Sequence, residues 1–141
     1  MIKIYPHLGF DGHCEEAFLE YQRIFGGTIT TMMRYGDSPM AKDAPADWQD
    51  RIIHASLHIG DVELAGTDML PQSYKKPQGF SVILNLPKKA EAQKIFDALS
   101  IGGEVQLAFA ETFWSAGFGV LVDRFGTPWE INCEQAPQTN S

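Results

Sequence analysis

Residues 2–27, IKIYPHLGFDGHCEEAFLEYQRIFGG, change their hydrophobic period partway along. Over 2–10 the pattern alternates. Ile2, Ile4, Leu8 and Phe10 point one way, and Lys3, Tyr5, His7 and Gly9 the other, which predicts a half-buried strand. Asp11-Gly12 breaks it. Cys14, Ala17, Phe18, Tyr21, Ile24 and Phe25 then recur at helical spacing, and Glu15 and Glu16 place acid in the first turn, where the helix dipole favours it. Gly26-Gly27 stops the helix.

Working outward, a Thr- and Met-rich strand is expected at about 28–35 and a long loop with Pro39, Pro45 and Trp48 at 36–50. Over 51–60, Ile53, Ala55, Leu57 and Ile59 form one face of a strand, and Ile52, His54, Ser56 and His58 the other. Gly60-Asp61 turns the chain into the strand Val62-Glu63-Leu64-Ala65. Residues 70–78 have linker composition. The pattern then restarts: an apolar strand from Gly79 to Leu86, a helix opened by Pro87-Lys88 with Ala92, Ile95, Phe96 and Leu99 on one face, a Gly102-Gly103 stop, and strands at about 104–114, 117–123 and 128–134. The tail 135–141 is polar and expected to fray.

The order β-α-β-β-β occurs twice, so the expected class is α+β with two βαβββ modules. Module one spans about 1–69 and module two about 79–135, within a single domain of 141 residues. Each sheet would pack a helix on its apolar face, and the opposite face of mixed sheets would curve around a cavity. That makes the polar side of each strand the functional side.

Composition narrows the partners. The apolar fraction of 44% supports an ordinary core, and a net charge of −7 repels nucleic-acid phosphates and anionic membrane surfaces. Lys75-Lys76 and Lys88-Lys89 are isolated basic pairs on a solvated surface. Cys14 and Cys133 are too few for a disulfide framework. No signal core or ~18-residue apolar run appears. A cytoplasmic protein with a small-molecule ligand is expected, with no nucleic-acid or membrane partner.

Two segments carry a family likeness: Pro6-His7-Leu8-Gly9-Phe10-Asp11-Gly12-His13-Cys14-Glu15-Glu16-Ala17, and Phe113-Trp114 with Val122-Asp123-Arg124-Phe125-Gly126-Thr127-Pro128-Trp129. With Ile53-His54-Ala55 and Thr67-Asp68, they resemble the PhnB-like branch of the glyoxalase/bleomycin resistance/dioxygenase (vicinal oxygen chelate) superfamily over nearly the whole chain. The resemblance implies the paired-module fold and a homodimer. It implies no single chemistry, because the superfamily hosts isomerases, dioxygenases, thiol transferases and drug-sequestering binders. Some members of this branch are labelled ubiquinone-pathway methyltransferases. The usual methyl-donor site needs a glycine-rich turn between a parallel strand and a helix, whereas Gly117-Phe118-Gly119 stands between strands.

The metal-ligand positions of the family map, by resemblance, to Tyr5, Glu63, Phe80 and Glu130. The two glutamates are retained and the usual histidines are not, so a divalent metal is possible without support from those positions, and the cofactor is unknown. Glu63 and Glu130 each sit in an apolar strand. Either they act in the cavity as ligands or an acid/base pair, or they face solvent or pair with a basic side chain. His7 shares a face with Tyr5 and would complete a two-carboxylate, one-histidine set; alternatively it lines a pocket. His54 and His58, at i and i+4, cannot share a metal; His54 is expected in a structural hydrogen bond and His58 on the surface. Phe80, Phe113 and Trp114 are candidate ligand-binding rings, with Trp48 and Trp129 as further aromatic supply; ordinary packing is the competing account. The 36–50 loop is a lid, a dimer contact or simply mobile. Two functions follow: an enzyme of lyase or isomerase type, with metal assistance if one binds, or a non-catalytic protein that sequesters a hydrophobic or aromatic small molecule.

Overall fold

The computed structural model of the chain describes residues 1–135. The tail expected to fray therefore lies, from residue 136 on, outside the described residues. Two compact units divide between Lys75 and Lys76.

The first unit comprises β1 (His7–Phe10), α1 (Cys14–Phe25), β2 (Thr28–Arg34), β3 (Ile52–Ile59) and β4 (Val62–Asp68). Its sheet runs β1-β4-β3-β2, with β1 parallel to β4 and the other pairs antiparallel. Strand β1 begins at His7 rather than at residue 2. Ala65 N still donates to Pro6 O at 3.1 Å, but proline has no N–H with which to carry the ladder further. Ile2 and Ile4, expected on the apolar face, are exposed instead.

Helix α1 buries Cys14, Ala17, Phe18 and Tyr21. A Cβ at Gly66 would lie 2.6 Å from the Phe18 ring, so a glycine in β4 is what lets the helix approach. Burial raises the Cys14 thiol pKa, in keeping with an inert core cysteine. His13 stands at the N-cap without a capping bond. Asp68, far along the chain, does that work: its carboxylate accepts from Cys14 N at 2.9 Å and Ile52 N at 2.8 Å. The 36–50 segment contains 3-10 turns at Tyr35–Asp37 and Ala46–Trp48. Gly36 N donates to Gln49 O, the Gln49 amide donates to Ala41 O and Ala44 O, and Trp48 is buried with the Arg51 guanidinium 5.7 Å from its ring centre.

The second unit repeats the plan with β5 (Val82–Leu86), α2 (Lys89–Ser100), β6 (Glu104–Ala110), β7 (Phe118–Val122) and β8 (Pro128–Cys133). Its sheet runs β5-β8-β7-β6, with β5 parallel to β8. Ala92, Phe96 and Leu99 of α2 are buried, as are Leu121, Trp129 and Ile131 of the sheet. Gly117 and Gly119 are explained by packing. A Cβ at Gly117 would meet the Phe109 ring at 2.2 Å, and one at Gly119 the Phe96 ring at 2.5 Å. Asp123 organises the β7–β8 turn by accepting from Phe125 N, Thr127 N and Trp129 Nε1. Among the described residues, no helix is long and apolar enough to cross a membrane.

Candidate functional site

Side chains alternate along a strand, so each sheet has a face without a helix. In the first unit that face carries His7 of β1, Glu63, Ala65 and Thr67 of β4, and His54, Ser56 and His58 of β3, as the pairings His7↔Ala65, Ser56↔Ala65 and His58↔Glu63 require. Glu63 is engaged. His58 Nε2 lies 2.7 Å from its carboxylate, so His58, expected on the surface and exposed there, is the basic partner. Glu63 also raises the Tyr5 phenol pKa, first by hydrogen bonding and then by the carboxylate's charge. His7 and His54 stack with ring centres 6.0 Å apart. Partial burial, followed by the neighbouring His54, lowers the His7 pKa and favours its neutral form. His54 thus makes a ring contact in place of the expected hydrogen bond.

In the second unit the helix-free face carries Ile83 and Asn85 of β5, Glu130 and Asn132 of β8, and Phe118 and Val120 of β7, as their pairings require. The register corrects one mapping. Ile83, not Phe80, is paired with Glu130; Phe80 lies ahead of β5 and is half exposed. The Glu130 side chain is half-buried between the backbone partners Ile83 and Val120, and its carboxylate makes no hydrogen bond or ion pair with another described residue. Asn132 donates from Nδ2 to Asn85 Oδ1 at 3.0 Å, while its own Oδ1 is buried without a donor.

An aromatic wall continues this face. The Trp114 ring meets Phe118 at 5.5 Å and Phe113 at 4.7 Å, both edge-on. Phe113 is 92% exposed and Trp114 52% exposed. The loop that carries them is held from below: Thr112 Oγ1 accepts from Trp114 N and Ser115 N, and the buried Ser115 hydroxyl lies 2.9 Å from Cys133 O. Trp48 and Trp129, in contrast, are buried. Sequence reasoning missed Ile83, Asn85, Phe118 and Asn132. Their signal was the alternation of Ile83 with Asn85 and of Glu130 with Asn132, each pair two residues apart along a strand.

The residues do not fit the metal that the fold family implies. Burdened by a raised pKa, Tyr5 is a poor phenolate; Glu63 is shared between His58 and Tyr5; and the neighbour of Glu130 on β5 is an isoleucine. Among the described residues, no three His, Cys, Asp or Glu side chains gather closely enough to hold a metal ion.

Two four-stranded mixed sheets, each with one helix, are the glyoxalase/bleomycin resistance fold. The chain is similar in fold to a glyoxalase/bleomycin resistance protein/dioxygenase family enzyme from Burkholderia phytofirmans, with 18% identity, TM-score 0.61 and coverage of 93% of this chain and 97% of that one. It is likewise similar to a putative 3-demethylubiquinone-9 3-methyltransferase, PhnB protein, from Bacillus cereus, with 23% identity, TM-score 0.79 and coverage of 94% and 99%. Protein PA1353 from Pseudomonas aeruginosa is 46% identical, with TM-score 0.88 and coverage of 96% and 99%. Protein YjdN of Escherichia coli K12 is 33% identical over 135 residues, which are 90% of this chain and 92% of that protein. The model of the family described as 3-demethylubiquinone-9 3-methyltransferase matches residues 2–132, and the chain belongs to this PhnB-like family.

Proposed function

We propose that the protein binds a hydrophobic or aromatic small molecule on the helix-free sheet face of its second unit and holds it without turnover. The observation that carries this reading is the half-exposed Trp114 set edge-on against Phe118, beside Val120 and Ile83. Large rings left in water on a rigid loop cost free energy that a flat ligand would recover, at roughly 25 cal/mol per Å² of apolar surface covered. Trp114 is also the natural reporter, because the other two tryptophans are buried. Titration with a panel of aromatic fragments should quench or shift its fluorescence saturably in the intact protein, and Trp114→Ala should abolish the response and weaken binding at least tenfold by calorimetry. Unchanged affinity in Trp114→Ala would overturn the assignment.

A second reading, an acid/base enzyme centred on Glu63, is favoured by one observation: Tyr5 and His58 both engage that carboxylate. Turnover by the wild type of a substrate that Glu63→Gln binds but does not convert would establish it.

We read the chain as one glyoxalase-like domain of two modules, acting as a cytoplasmic homodimer. Both cysteines are free thiols, and Ile2 and Ile4 leave apolar surface ahead of β1, an edge strand. Sedimentation at micromolar concentration should give a dimer; a monomer would overturn that part.

A further inference from the structure

Resting on the binding reading above, we propose that the second unit selects a cationic ligand, an aromatic ring carrying an ammonium group one or two carbons away. The two ends of the face differ in chemistry. One end is the Trp114–Phe118 ring pair. At the other end is the Glu130 carboxylate, half-buried between Ile83 and Val120 and without a hydrogen bond or ion pair to any described residue. A carboxylate in apolar surroundings without a basic partner is unusual, and a positive ligand group answers it. Phe118 is paired with Asn132, so it lies diagonally from Glu130, at about 7–8 Å between backbone positions. That span matches an arylmethylamine or arylethylamine: the ring lies against Trp114 and Phe118 while the ammonium points at Glu130.

Asn132 reinforces the sign. Its Nδ2 is spent on Asn85, and its buried Oδ1 has no donor, so the partial negative charge of that oxygen adds to the field of Glu130. An anionic ligand meets two sources of repulsion and no cationic side chain among the residues of this face.

The experiment is a charge series on one ring: 1-naphthylmethylamine, 1-naphthalenemethanol and 1-naphthoate, measured by calorimetry against the full chain. The amine should bind at least tenfold more tightly than the alcohol, and the carboxylate most weakly. Glu130→Gln should bring the amine to within about threefold of the alcohol and leave the alcohol unchanged. Glu91→Gln, which removes the same charge from the exposed start of α2, should leave the series intact, separating a local contact from net charge. Equal affinities for amine and alcohol, tightest binding of naphthoate, or a preference that survives Glu130→Gln would overturn the cationic class while leaving the aromatic binding reading standing. No binding by any of the three would overturn both.

Discussion

Asp68 caps Cys14 from more than fifty residues away: its Oδ1 accepts from the Cys14 backbone N–H at 2.9 Å, and its Oδ2 accepts from Ile52 N at 2.8 Å. One buried carboxylate thus ties the start of α1 to the start of β3. Asp68→Ala orphans both donors and should cost about 2–4 kcal/mol in urea unfolding. The pH dependence carries its own sign. Burial raises the Asp68 pKa, against the opposing pull of the two N–H groups and Arg51. The native state therefore holds this proton more tightly than the unfolded chain, and stability from this group falls as pH rises from the ordinary carboxylate range, near ~4, through the native value. Asp68→Asn lacks that titration, so its deficit relative to wild type should shrink across the same window. A deficit that grows with pH would contradict the burial argument.

Gly66 and Gly60 make a second, internally controlled test. Gly66→Ala would press a methyl group against Phe18 and Phe10, whereas a Cβ at Gly60, at φ 56°, meets nothing within 4 Å. Thermal unfolding should show a loss of about 1–3 kcal/mol or more for Gly66→Ala and about 1–2 kcal/mol for Gly60→Ala, from backbone strain alone. A smaller loss at Gly66 than at Gly60 would mean that α1 packs differently.

The Tyr5–Glu63–His58 group yields opposite expectations for stability and titration. The His58 and Glu63 side chains are 45% and 23% exposed, so His58→Ala should cost less than ~1 kcal/mol. Glu63→Gln removes the negative charge that disfavours the phenolate, so the Tyr5 pKa should fall. Ultraviolet titration, with Tyr5→Phe identifying the transition, checks this. An unmoved Tyr5 titration would separate the phenol from Glu63.

Much of the fold was legible because the period switches from two to 3.6 and back, twice, between glycine stops. Ile2 and Ile4 defeated the pattern, since alternation reports a suitable face but not whether a neighbouring strand is there to pair. The tie between His58 and Glu63 was legible in principle: with Gly60-Asp61 as the two turn residues, Ile59 pairs with Val62 and His58 with Glu63. Phe80 lies ahead of β5, and the alternation of Ile83 with Asn85 that carries the strand's register was obscured by the apolar neighbours Phe80, Val82 and Leu84. Asp68 and Asp123 stood out only as family motif residues. Their physical roles, a cap across the chain and the closing of a turn onto Trp129, depend on contacts that periodicity does not encode.

Exposure of the aromatic wall has a direct optical consequence. Acrylamide should quench wild-type tryptophan fluorescence in two components, and Trp114→Phe should remove the accessible one, since Trp48 and Trp129 are buried. Persistence of that component in Trp114→Phe would place another tryptophan in water.

The central claim, that the helix-free face of the second unit binds an aromatic small molecule, is tested most directly by backbone amide chemical-shift mapping with an aromatic fragment library. Saturable shifts should centre on Ile83, Trp114, Phe118, Val120, Glu130 and Asn132. Shifts centred instead on Tyr5, His54, His58 and Glu63, or no saturable shift with any fragment, would contradict it.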